Sequence, residues 1–215
     1  PQFGLHIPVV LAASGRWRAF PAAAATVAVL TIAVTITFGV DIWNSFLAST
    51  RFTRTVVLEQ GDTGWHKIQS VFSVVRMWGG GIALAYAVQI LVTLAVAGGL
   101  AWLWRSRAAF PIKAAALAIG TILATPYSLD YDLMLLAPAI AFLAADGMQR
   151  GFRPWQKSLL AALWLVPILT RPVAHATLIP LAVPVMLVAF ALLLRRVMTQ
   201  TGTTTLWRFA TRPLK

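Results

Sequence analysis

Thr125-Pro126-Tyr127-Ser128-Leu129-Asp130-Tyr131-Asp132 separates two apolar runs, residues 109 to 126 and 130 to 146. Uninterrupted, they would form one apolar stretch far longer than the about 20 residues a membrane helix needs. Pro126 disfavours helix at Thr125. Ser128 or Asp130 suits the cap of a following helix, where a carboxylate also meets the positive end of the helix dipole. The stretch therefore predicts a turn between two spans. Capping accounts for Asp130. Asp132, about 200° further around a helix, falls at the edge of the Leu133 to Leu136 run, and an ionisable group at that depth faces a protein interior or a wet cavity.

The rest of the chain has the same character. Of 215 residues, 59% are hydrophobic and 11% charged, and mean hydropathy is +0.78, outside the range of soluble domains. Six apolar runs are long enough to be read as spans, at 20 to 40, 80 to 104, 109 to 126, 130 to 146, 157 to 171 and 175 to 194. A seventh, Phe3 to Ser14, reads as truncated. The expected fold is an all-α polytopic helical bundle. The chain opens at Pro1 without Met or a charged leader, so we expect it to be the C-terminal part of something longer. With no cysteine, neither disulfides nor thiolate metal sites contribute.

A net charge of +12 would suggest nucleic acid in a soluble protein, but here the cations sit in linkers beside the spans and read as topology. If Arg16 and Arg18 are cytoplasmic, so are Arg105, Arg107, Lys113, Arg150, Arg153, Lys157, Arg195, Arg196, Arg208, Arg212 and Lys215. That side then holds Asp146 as its single acid. The outer side balances Arg51, Arg54, Lys67, Arg76 and Arg171 against Asp41, Glu59, Asp62, Asp130 and Asp132. Both the 41 to 78 segment and residues 126 to 132 thus face outward. No nucleic-acid partner is expected; the partner is the lipid bilayer.

The 41 to 78 segment is too long for a simple turn. Trp43, Phe46 and Leu47 suit an interfacial helix, and Glu59-Gln60-Gly61-Asp62-Thr63-Gly64 reads as a break. From Trp65 to Trp78, helical spacing puts Ile68, Val71, Phe72, Val75 and Trp78 on one face and His66, Gln69, Ser70, Ser73 and Arg76 on the other. The polar face either meets water at the interface or lines a cavity.

No phosphate-binding loop, dinucleotide fingerprint or H-E-x-x-H motif is present. His6, His66 and His175 are too scattered for a local metal site. His6 and His175 read as structural, the latter at a helix start. No cofactor is expected, and a divalent-metal requirement is not legible.

Pro1-Gln2-Phe3-Gly4-Leu5, Gly15-Arg16-Trp17-Arg18-Ala19-Phe20, Gln69-Ser70-Val71-Phe72 and Thr125-Pro126-Tyr127 with Asp130-Tyr131-Asp132 together resemble the C-terminal half of the family 87 integral-membrane glycosyltransferases, over nearly all of residues 1 to 196. The resemblance implies a type C glycosyltransferase fold in the bacterial cytoplasmic membrane. It implies transfer of a hexose, typically mannose, from a polyprenyl-phosphate donor to a lipid or glycan acceptor on the outer face. It also implies a catalytic aspartate in a first outer loop, upstream of Pro1, so this chain alone is expected to be inactive. What the chain itself offers is donor-side chemistry, because a departing phosphate needs electropositive groups. The substrate-binding candidates are His66, Lys67, Gln69, Ser70, Arg76, Tyr127, Asp130, Tyr131 and Asp132. Asp130 and Asp132 are expected to support a cavity floor or bond the sugar, with Tyr127 and Tyr131 packing against it. Arg51 and Arg54 suit lipid headgroups.

Two other classes compete. A transporter would show internal repeats and charges near mid-membrane, and neither is seen. A noncatalytic membrane scaffold leaves the polar stripe and residues 125 to 132 unexplained. Residues 197 to 215, polar and without helical periodicity, are expected to form a flexible cytoplasmic tail.

Overall fold

The structure is a computed structural model describing residues 2–210. It is all-helical among these residues. A turn over Gln2–Gly4 leads to α1 (Ile7–Ala13), α2 (Ala19–Phe38) and α3 (Asp41–Phe52); α4 (Val71–Met77) precedes α5 (Ile82–Arg105), α6 (Phe110–Leu123), α7 (Leu136–Arg150), α8 (Gln156–Thr177) and α9 (Ala182–Ala210). Five helical stretches are long and apolar enough to cross a membrane: Ala19–Phe38, Ile82–Arg105, Asp130–Arg150, Gln156–Thr177 and Ala182–Thr199.

The expected sixth span is shorter than its apolar run. α6 has 14 residues, about 21 Å of rise, because the helix stops where Pro126 forbids its continuation. Its free terminal carbonyls would be costly in an apolar setting. Side chains of α5 satisfy them: Gln89 Nε2 donates to the Leu123 carbonyl at 2.9 Å and Thr93 Oγ1 to that of Ala124 at 2.9 Å.

α6 is also the centre of the core. Ile112, Ala115, Ala116, Ile119, Gly120, Ile122 and Leu123 are all buried, packed with Val96, Leu100, Leu136, Leu143, Leu163, Met186 and Phe190. Small residues allow this approach, as is usual between membrane helices. A Cβ on Gly120 would lie 2.9 Å from a Val96 methyl and 3.1 Å from one of Leu100. α2, by contrast, has no buried residue.

A second boundary moves as well. The turn expected near residue 172 lies at Leu178 to Leu181, because α8 runs through Pro167 and Pro172 to Thr177. His175 therefore sits in the last turn of α8, not at a helix start, and Arg171 lies within that helix. The tail expectation also shifts: α9 stays helical through Ala210, and residues 211 to 215 lie outside the described ones.

The ends segregate as the charges require. Arg16, Arg105 and Lys113 line one cavity at the end read as cytoplasmic. At the same end, Asp146, 1% exposed, is bonded by Arg196 and approached by Arg150 at 3.5 Å.

Candidate functional site

The outer segment is built differently from the helix its periodicity suggests. Trp65–Lys67 forms a single 3-10 turn, Ile68 is extended, and α4 begins only at Val71. The interruption comes from a distant partner. Ile68 pairs antiparallel with Leu129, and the Gln69 N–H donates to the Ser128 carbonyl at 2.6 Å. The two polar stretches singled out in the sequence thus meet, one supplying the edge on which the other is held.

This pairing turns the polar face inward. Gln69, Ser70 and Ser73 are buried, so the expectation of a water-facing stripe is corrected. Gln69 Nε2 donates to the His66 carbonyl at 3.0 Å, and its Oε1 accepts from Thr170 Oγ1 at 2.7 Å. Ser70 Oγ accepts from the Ser73 N–H at 3.2 Å and Ser73 Oγ from the Ser70 N–H at 3.3 Å, a reciprocal cap on α4. The Phe72 N–H, at the same helix start, donates to Gln89 Oε1 at 3.1 Å. Gln89 therefore joins the free donors of α4 to the free carbonyls of α6.

Arg76 is equally committed. Its guanidinium lies 4.6 Å from the centre of the Trp65 ring and donates to the Glu59 and Gly80 carbonyls at 3.1 and 2.8 Å. Trp65 Nε1 in turn donates to the Leu58 carbonyl at 3.0 Å. Gly61, at φ 73°, makes the turn beneath this indole; a Cβ there would run into the ring.

His66 and Lys67 stand apart, beside the end of α8. The rings of His66 and His175 meet edge to face at 4.9 Å, a pairing across 109 residues that local spacing cannot reveal. The His66 imidazole is held below its ordinary value, first by burial, then by His175, Lys67 and Arg171, against a smaller opposing pull from Asp130. Asp130 bonds Arg171 at 3.0 Å and its own neighbour's N–H, that of Tyr131, at 3.0 Å. Asp132 Oδ2 accepts from the Leu129 N–H at 2.8 Å, capping the 3-10 turn Asp130–Leu135. Tyr131 is exposed.

A large cavity at the end read as outer lies on the other side of this loop. It has a volume of about 820 Å³ and is walled by Phe46, Leu47, Leu58 and Pro126, with Ser49, Thr50, Thr53, Thr125, Tyr86 and Tyr127 among its polar lining. Of the nine candidates read from the sequence, Tyr127 alone lines it. Its phenol is pushed above its ordinary value by burial first, then by Tyr131 and Asp132. Thr125 Oγ1 fixes the bend by accepting from the Tyr127 N–H at 3.2 Å.

One rim carries a charge network that sequence reasoning passed over. Arg54 Nε and Tyr86 Oη both donate to Glu59 Oε1 at 2.9 Å. Arg54 holds the Glu59 carboxyl below its ordinary value, with Tyr86 next in effect. The guanidinium is itself 69% exposed in its side chain and lines the cavity. Arg54 and Glu59 are five residues apart, which puts them on different sides of an α-helix. Thr53–Gln60 is a π-helical turn, whose i to i+5 spacing brings them together. Among the described residues, no group of three or more His, Asp or Glu side chains could hold a metal ion.

An apolar cleft with a cation at its rim, on a polytopic helical frame, suits an amphiphile with an anionic head. The model of glycosyltransferase family 87 matches residues 1–126. The chain belongs to this family. Family 87 is a family of membrane glycosyltransferases, and the match takes in the cavity residues up to Pro126. The rest of Tyr127-Ser128-Leu129-Asp130-Tyr131-Asp132, which weighed most in the resemblance read from the sequence, lies past that match. No curated protein and no solved structure matches the chain.

Proposed function

We propose that the outer cavity receives the polyprenyl-phosphate end of a lipid-linked hexose, mannose in the first instance, for transfer to a lipid or glycan acceptor at the outer face of the bacterial cytoplasmic membrane. The observation that carries this reading is the pairing of an apolar wall, Phe46, Leu47, Leu58 and Pro126, with the exposed Arg54 guanidinium at its rim. Prenyl chain and phosphate each find a matching surface.

In the transfer, an acceptor hydroxyl oxygen bonds to the sugar's anomeric carbon as the bond from that carbon to the phosphate oxygen breaks. The electron pair leaves with the phosphate, and the acceptor proton passes to a base. Arg54 stabilises the charge that grows on the phosphate. Glu59, itself held by the Tyr86 hydroxyl, orients Arg54 by accepting from Nε, leaving the rest of the fork to the ligand. Glu59 is poorly suited to be the base, because Arg54 and Tyr86 favour its charged form. We assign the base to the upstream outer-loop aspartate that the family resemblance implies.

The sequence candidates sort by position. Tyr127 packs on the donor within the cavity. Asp132 and Thr125 shape the bend that presents it, and Gln69, Ser70 and Arg76 hold the loop behind. His66, Lys67, Asp130 and Tyr131 form a separate outer patch suited to the acceptor side.

The test uses the full-length enzyme in membranes, with the Arg54→Gln and Tyr127→Ala variants. Arg54→Gln should raise the donor KM roughly tenfold, the loss of one charge-assisted phosphate contact, with acceptor KM unchanged. Unchanged donor kinetics in both variants would overturn the assignment.

A further inference from the structure

A second cavity, about 430 Å³, opens at the cytoplasmic end between α7, α8 and α9. It shares no residue with the outer cavity. Its walls are Leu143, Leu159, Leu192 and Leu193, and its mouth carries Arg153, Arg195 and Arg196. We infer that this cavity is a binding site for an anionic glycerophospholipid of the inner leaflet, its acyl chain along the leucines and its phosphodiester on Arg153 and Arg195.

Charge is the first support. Asp146 is the single acidic group at this end, and it is buried beneath Arg196 and Arg150. Among the described residues, neither Arg153 nor Arg195 makes an ion pair with a carboxylate; Asp146 pairs with Arg196 and Arg150 instead. Arg196 also has a buried Nε with no hydrogen-bond partner. The Arg153 guanidinium is held below its ordinary value, by burial first and by Arg196 next, with Asp146 only partly offsetting them. Cations crowded together beside apolar walls lack an anion, and an anionic headgroup at the cytoplasmic interface supplies one.

Backbone geometry is the second support. Trp155, at the mouth, has φ 65°, a left-handed conformation that a bulky residue adopts only when its surroundings impose it. Gln156 imposes it: its Oε1 accepts from the Arg153 N–H at 3.1 Å and its Nε2 donates to the Leu143 carbonyl at 3.0 Å. The result holds the indole 82% exposed at the level where tryptophan favours the membrane interface. The latch fixes Arg153 and Trp155 as one edge of the pocket.

The experiment uses the full-length protein in nanodiscs of mixed phosphatidylglycerol and phosphatidylcholine, with lipids retained after extraction counted by native mass spectrometry. Wild type should keep one phosphatidylglycerol in preference to phosphatidylcholine. Arg153→Gln with Arg195→Gln should weaken that retention at least roughly tenfold, as expected for lost charge-assisted contacts, while Arg16→Gln with Arg18→Gln, on the same face, should not. Arg153→Lys with Arg195→Lys, which keeps the charge and the fold, should retain the preference for phosphatidylglycerol in weakened form. Equal retention of the two lipids by wild type would overturn the inference, as would equal loss in the Arg16 and Arg18 control. Polyprenyl phosphate added in phosphatidylcholine should leave the bound phosphatidylglycerol in place; its displacement would assign the pocket to the donor and overturn the inference.

Discussion

The loop from Trp65 to Trp78 and the rim of Arg54, Glu59 and Tyr86 share one face of the molecule and much the same composition, yet their polar groups have opposite fates. In the loop, Ser70 and Ser73 bond each other, Gln69 bonds His66 and Thr170, and Arg76 bonds the Glu59 and Gly80 carbonyls. At the rim, Glu59 anchors one nitrogen of Arg54 and the guanidinium stays exposed. A polar group whose capacity is filled from within specifies a fold; one that is oriented but only partly filled can meet a ligand. Density of polar residues in the sequence does not distinguish these cases, because some of the deciding partners, Thr170 for Gln69 and Tyr86 for Glu59, are distant along the chain.

The largest effect should come from the loop side. Gln89→Leu leaves the Phe72 N–H and the Leu123 carbonyl unpaired in buried positions, a loss of about 2–4 kcal/mol, read as a lower thermal unfolding temperature in lipid nanodiscs, with little change in donor KM for the protein that remains folded. A donor KM defect without a stability defect would erase the contrast. Next comes the rim: Glu59→Gln frees Arg54 from its orienting carboxylate, and donor KM should rise severalfold, less than in Arg54→Gln, with thermal stability kept. Ser70→Ala removes the α4 cap and should cost about 1 kcal/mol in the same unfolding measurement, without affecting turnover.

The smallest effect concerns pH. His66 is held below its ordinary value in the folded protein, so near and below that value the unfolded chain binds more protons. Stability therefore falls as pH drops from about 6.5. His66→Gln should flatten that part of the stability curve in thermal unfolding across pH 5 to 7; an unchanged slope would show that the His66 and His175 contact does not couple to folding.

Much of the architecture is legible because hydropathy and charge are summed over long runs. Six apolar runs, the common end of the two polar stretches, and the shared end of Arg16, Arg105 and Lys113 all follow from such sums. The site was less so. α8 passes through Pro172, which reads locally as a stop, and the pairing of Ile68 with Leu129 interrupts a periodicity that would otherwise continue from Trp65. Arg54 and Glu59 are neighbours only on a π-helical turn, so an α-helical projection separates them. Gln89, within the mostly apolar α5, gives no local sign that it joins two helix ends.

The brevity of α6 has a further bearing on where chemistry happens. Its about 21 Å falls roughly a third short of the about 30 Å hydrocarbon thickness, so α6 alone does not cross it, and the bend begins at Thr125 buried inside the bundle. On the function proposed above, a carrier lipid reaches Tyr127 from the side with its tail still in the hydrocarbon, and its phosphate meets the protein where few water molecules compete for it.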